Sequence, residues 1–204
     1  MESADLLIFT VYVIVVTYVF YQAYSDLGNQ AVIVSDSEDL NNQIQDQDLQ
    51  DLIDIKFKFK DSYRLNDLTK LQITIQNKSK DDTIRVDWDE CSITDFDNVT
   101  GRVIRIAPGL TNVPQNQATV IIVPGRKIQE ELSDDKAIAA PLFKPEKLKK
   151  ALNSSKPFFL RLFFTVTNLT GGKRSYTLRC KFIPKKLRLP KALTLALKPK
   201  KPQS

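Results

Sequence analysis

From Leu52 onward the chain changes sides at almost every residue. Ile53, Ile55, Phe57 and Phe59 alternate with Asp54, Lys56, Lys58 and Lys60. A period of two suits an extended strand with one buried and one wet face. The pattern returns at Leu71, Ile73 and Ile75, which alternate with Gln72, Thr74 and Gln76, and ends in the polar turn 77–82. It returns again at Ile84, Val86 and Trp88, set against Arg85, Asp87 and Asp89. Further candidate strands cover 103–106, 119–123, 158–167 and 175–183, the last two joined by a glycine-bearing connection at 168–174. One helix is expected at 145–152, where Pro145 suits a first helical position. Seven or more short strands with turns between them predict a mainly β fold, an antiparallel β-sandwich over 52–183.

The beginning of the chain reads differently. Sixteen residues from Leu6 to Tyr21 carry no charge, with Thr10 and Thr17 as the non-aromatic polar side chains. Extended to Tyr24, a helix of that length covers about 28 Å, against a hydrocarbon core of about 30 Å. Tyr18, Tyr21 and Tyr24 stand where aromatic rings favour headgroups. The expectation is a single-pass transmembrane helix over 1–24. A cleaved signal peptide and a buried core helix are the alternatives. The first meets an acidic opening (Glu2, Asp5) and a bulky Tyr21 where a small residue is needed. Residues 25–51 are rich in Asp, Asn, Gln and Ser and read as an acidic flexible tether, with a short helix conceivable at 46–53.

Charge is divided unevenly. All ten acidic residues up to Asp54 precede the first basic one, Lys56. The remaining 149 residues therefore hold 30 basic and 14 acidic groups, a net of +16. Such a surface attracts phosphate, anionic lipid or acidic protein. Residues 184–204 form a basic tail in which Lys185, Lys186, Arg188, Lys191, Lys198, Lys200 and Lys201 are candidate membrane or partner contacts. Pro190, Pro199 and Pro202 oppose one continuous helix there.

A resemblance enters at the third strand. Residues 84–95 (IRVDWDECSITD), then the 95–101 turn, Arg102-Val103-Ile104 and Val123-Pro124-Gly125 resemble a pattern in uncharacterised bacterial envelope proteins. The closing hairpin, with Tyr176 and Cys180, is similar too, so the likeness covers roughly 68–183. It implies an immunoglobulin-like sandwich and is silent about activity. Relatives are often lipid-anchored, whereas this chain lacks a lipobox cysteine. The likeness favours an extracytoplasmic domain, in periplasm or lumen. Neither flank of 6–24 carries Lys or Arg to set its orientation, so a cytoplasmic domain stays open.

Few catalytic groups are present. The chain has no His, which removes the commonest general base and metal ligand. Asp87, Asp89, Glu90, Asp95 and Asp97 are dense in carboxylates, but Val99 and Thr100 break calcium-loop spacing, so ion pairing is expected instead of metal. Cys180 shares the phase of Tyr176 and Leu178 and faces inward, where a thiol is inert. Cys91 lies three residues past Trp88, out of phase, so two free thiols are expected unless a bulge turns it in. Trp88 reads as a core anchor, and Asn77, Asn98, Asn153 and Asn168 as turn residues. The basic residues match no nucleic-acid module. The expectation is a membrane-tethered, non-catalytic β-sandwich that binds or scaffolds a protein partner in the envelope or membrane, with no cofactor, metal or nucleic acid. A membrane-anchored enzyme is the alternative.

Overall fold

In the computed structural model each alternating run folds as the strand its period implies. The structure describes residues 3–27, 30–106, 116–136 and 140–187, with side chains of the first helix described at 6–18, 20 and 21. Along the chain come α1 (Ser3–Leu27), β1 (Gln30–Ser35), α2 (Ser37–Asp46), β2 (Ile53–Lys58), β3 (Tyr63–Arg64), β4 (Leu71–Asn77) and β5 (Thr83–Val86). Then follow β6 (Ser92–Thr94), β7 (Thr100–Arg105), β8 (Val120–Ile122), β9 (Lys127–Asp134), α3 (Pro145–Ser154), β10 (Phe158–Thr167) and β11 (Lys173–Lys186).

The expected two-sheet, immunoglobulin-like sandwich is corrected to one eleven-stranded antiparallel sheet, curled into a half-barrel. Its order is β2-β4-β9-β7-β6-β10-β11-β1-β3, and β5 joins β10 with β8 beyond it. The reason lies in β7. Thr100, Gly101 and Arg102 pair with β6, whereas Val103, Ile104 and Arg105 pair with β9. One strand therefore carries the sheet around the corner without a break. Gly101 lets the Asp134 carboxylate approach closely there: a Cβ would lie 2.6 Å from its oxygen, and the side chain would have to shift.

The curl encloses a ladder of aromatic rings. Phe57 of β2 and Phe59 just beyond it meet Phe182 of β11 edge-on, at 4.8 and 5.6 Å between centroids. Phe182 stacks on Phe158 at 5.0 Å, and Phe158 meets Phe143 at 4.8 Å and Phe96 at 5.7 Å. Such pairs prefer offset or edge geometry and add to the area they bury. Trp88, fully buried, belongs to the same core. The side chain of Asn77 is also buried: its amide donates to the carbonyls of Asp82 and Ile122, and its oxygen accepts from Ser79. A turn residue thus ties β4, β5 and β8 together.

The first quarter of the chain departs from expectation twice. Among the described residues no helix is long and apolar enough to cross a membrane. The transmembrane helix over 1–24 and the localisation as a single-pass membrane protein with an extracytoplasmic domain are therefore corrected. α1 is a regular helix, and its uncharged stretch lies between Asp5 and Asp26. Threonines and tyrosines interrupt that stretch, and Thr10 turns its hydroxyl back to the Leu6 carbonyl.

The stretch read as a tether, 25–51, contributes β1 and α2. Ala31 to Ser35 pair with Lys186 to Phe182 of β11. Asp36 caps α2 by accepting from the Asp39 N–H, and Leu40 and Ile44 enter the core. Four apolar residues in a row, Ala31 to Val34, are too few to build a core but enough to extend an existing sheet. The strand itself carries no charge; the ten acidic side chains lie outside it.

A candidate interaction face on the closing hairpin

β10 and β11 are the longest strands, and neither contains an Asp or Glu. Between them they carry Arg161, Lys173, Arg174, Arg179, Lys181, Lys185 and Lys186. Their connection is closed by Asn168, whose Oδ1 accepts from the Gly172 N–H and the Thr170 hydroxyl, while Gly171 supplies a positive φ of 82°. That fixes a register in which Phe159 faces Lys181, Arg161 faces Arg179, Phe163 faces Thr177 and Thr165 faces Ser175. The alternating partners, Phe158, Leu160, Leu162, Phe164 and Val166, are buried. The named set consequently forms the outward face. β5 extends it by placing Arg85 beside Thr165, and β1 extends it by placing Val34 beside Ile183 and Val32 beside Lys185.

Two arginines stand directly opposite each other on this face. The backbone N–H of Arg179 donates to Gln43 Oε1 at 2.8 Å, and its carbonyl accepts from Gln43 Nε2 at 2.9 Å. With both groups committed to α2, Arg179 forms a non-hydrogen-bonded pair with Arg161, the narrower kind of antiparallel pair. Like charges so placed are destabilising. The guanidinium of Arg179 lies over the Phe159 ring, 3.7 Å from its centroid, and Arg161 donates to the Glu90 carbonyl. Neither has a carboxylate partner among the described residues. Gln43 at the same time closes the β11 edge that β1 does not reach, helped by Gln47, which donates to the Thr177 carbonyl, and by Asp36, whose N–H donates to Lys181 O. A free strand edge is an invitation to pairing, and here two glutamine side chains stand in for a strand.

Of the basic residues singled out in the tail, Lys185 and Lys186 lie on β11 and are exposed. Arg188, Lys191, Lys198, Lys200 and Lys201 lie outside the described residues. Arg161 and Arg179 were not among the expected contacts. Their signal was present, however, in the acid-free composition of the hairpin read with its register.

Elsewhere several charges close on each other. Lys147 Nζ of α3 bridges Asp95 Oδ2 and Asp97 Oδ2, each at 2.8 Å. Burial alone would raise Asp95, but the Lys147 ammonium and the N–H groups of Val99 and Asp97 outweigh it and hold the carboxyl below its ordinary range. Asp89 pairs with Arg102, and Asp36 with Lys181 at 3.0 Å. The carboxylates 87–97 are thereby dispersed, and among the described residues no group of three or more His, Cys, Asp or Glu converges as a metal site. Asp134 and Asp135 form a different pair. Burial and the adjacent carboxyl push Asp134 up to about 6.

Both cysteines are buried, separate thiols, each pushed up to about 12 by burial. β5 and β6 run in the same direction along β10, with residues 87–91 bulging opposite 162–163, and that bulge turns Cys91 inward. Its sulfur accepts from the Phe163 N–H at 3.3 Å and donates to the Asp87 carbonyl. A cavity of about 230 Å³ lies between β2, the β1–α2 corner and β11, floored by Leu40, Ile55, Phe57 and Phe182.

No family model matches the chain, and no curated protein matches it. A solved structure from Bordetella pertussis that carries the name ApaA is similar at 6% identity, with a TM-score of 0.31, covering 75% of this chain and 91% of that one. At that level the likeness supports no inference about this protein.

Proposed function

We propose that this chain is a non-catalytic binding module that holds another protein on the outward face of its closing hairpin. One observation carries the reading. The fold retains Arg161 opposite Arg179 on an acid-free hairpin, although an opposite-charge pair in that register would be more stable. Among the described residues, Lys147 and Arg102 show the contrast, each held by a carboxylate. The nearby thiols are buried and protonated. Affinity purification of the tagged full chain, cross-linked in its native cells, tests the reading. A protein recovered at near-stoichiometric yield supports it; bait alone at that depth overturns it.

A further inference from the structure

We infer that the occupant of this face is an extended protein segment in which carboxylates alternate with spacers and flank one aliphatic side chain. This deepens the binding-module reading and rests on it. Along β11 the outward positions run Arg179, Lys181, Ile183 and Lys185. Alternate residues of a strand are about 7 Å apart, so these four side chains span about 20 Å at the repeat of an extended peptide. Ile183 is half-buried and faces the exposed Val34 of β1, which makes an aliphatic step between two cationic ones. Arg161 doubles the charge at the Arg179 end. Lys181 is already shared with Asp36 and offers the weakest of the cationic positions.

Two features set a protein ligand above a nucleic acid. The Phe159 ring is covered by the Arg179 guanidinium and so offers no free platform for a base. The Val34–Ile183 step matches nothing on a sugar–phosphate backbone but seats a leucine or valine. A segment with carboxylates at its first, third and seventh positions and an aliphatic residue at its fifth meets all four positions in register.

The test uses the full chain and a fluorescent seven-residue peptide, Glu-Ser-Glu-Thr-Leu-Ser-Glu, with anisotropy read at about 150 mM salt, where long-range attraction is screened. Single-stranded oligonucleotides and a peptide with serine for leucine are the competitors. Binding is expected to fall about tenfold in Arg161→Gln/Arg179→Gln and in Lys185→Gln, as for truncation of interfacial charges. It is expected to fall several-fold in Val34→Ser and to stay within about twofold in the α3 control Lys149→Gln/Lys150→Gln. Melting temperatures verify that each variant is folded. Equal binding of the serine peptide, an oligonucleotide that displaces the peptide at equal concentration, or retention in Arg161→Gln/Arg179→Gln would each overturn the inference. A native partner that remains bound to the charge variants would defeat this inference while leaving the binding-module reading intact.

Discussion

Two charged regions of this molecule are built on opposite plans. At the corner where α3 meets the β6–β7 turn, one ammonium sits between two carboxylates, and the Asp95 side chain also accepts the N–H groups of Asp97 and Val99. On the hairpin face, two guanidiniums oppose each other and turn to a ring and a carbonyl for company. Both regions use short-range geometry in antiparallel structure. They differ in whether the local sequence supplies the counter-charge. A region that closes on itself is explained by folding alone; one that does not is stabilised by something outside the chain or costs stability without return.

The largest effect calibrates a fully closed polar site. Asn77→Ala removes buried donors to the Asp82 and Ile122 carbonyls and the acceptor for Ser79, and is expected to cost about 2–3 kcal/mol, read from urea unfolding. A loss below about 1 kcal/mol would show that the β4–β5 turn reorganises. Next, Asp95→Ala removes both the ion pair and two N–H acceptances and should cost about 1–2 kcal/mol. Asp95→Asn keeps an acceptor for the N–H groups and, with the Lys147 pair partly exposed, should cost only about 0.5 kcal/mol. If both variants lose equally, the ion pair and not the turn closes the corner.

A third variant probes the adjacent carboxyls Asp134 and Asp135. Asp134 is raised from 3.8 to about 6 in the folded chain. Its contribution to stability is therefore full below pH 4 and is lost as pH rises from about 4 to 6. Asp134→Asn removes that loss. Relative to the parent it should gain about 1 kcal/mol between pH 4 and pH 7, a figure reduced for solvent screening because the group is partly exposed. Paired melts at the two pH values decide it, and a difference that does not change with pH would sink the assignment. The smallest effect bears most directly on the comparison. Arg161→Glu places opposite charges across the hairpin and should stabilise the fold by about 0.5 kcal/mol while weakening partner binding. A destabilised Arg161→Glu would mean that the arginine pair is a structural element, like the corner.

Much of the β architecture was legible from period alone. The run 158–167 coincides with β10 (Phe158–Thr167), and the helix expected at 145–152 is α3 (Pro145–Ser154). β9 was missed because Gln129, Glu130 and Glu131 blur its alternation. It is a strand because β4 and β7 bind it on both sides, with Lys70 and Arg105 pairing its glutamates. The tether reading of 25–51 failed for a related reason. Polar composition predicts that a segment cannot build a core, yet β1 and α2 only join one, contributing Ala31, Ile33, Leu40 and Ile44. Of the candidate contacts, the composition of the tail drew attention to Lys185 and Lys186, whereas Arg161 and Arg179 became a pair only through the β10–β11 register.

The sequence by itself determined the strands whose alternation is clean, where the closing hairpin turns, and that its two arms hold cations without acids. Periodicity and turn chemistry are local, so neighbouring residues suffice to encode them. Only the tertiary structure decided that the sheet is continuous around β7, that Cys91 turns inward, that α2 closes the β11 edge with Gln43, and that Arg161 meets Arg179. Each of these depends on pairing between residues distant in the chain, and a one-residue slip in register would have turned every one of those side chains to the other face.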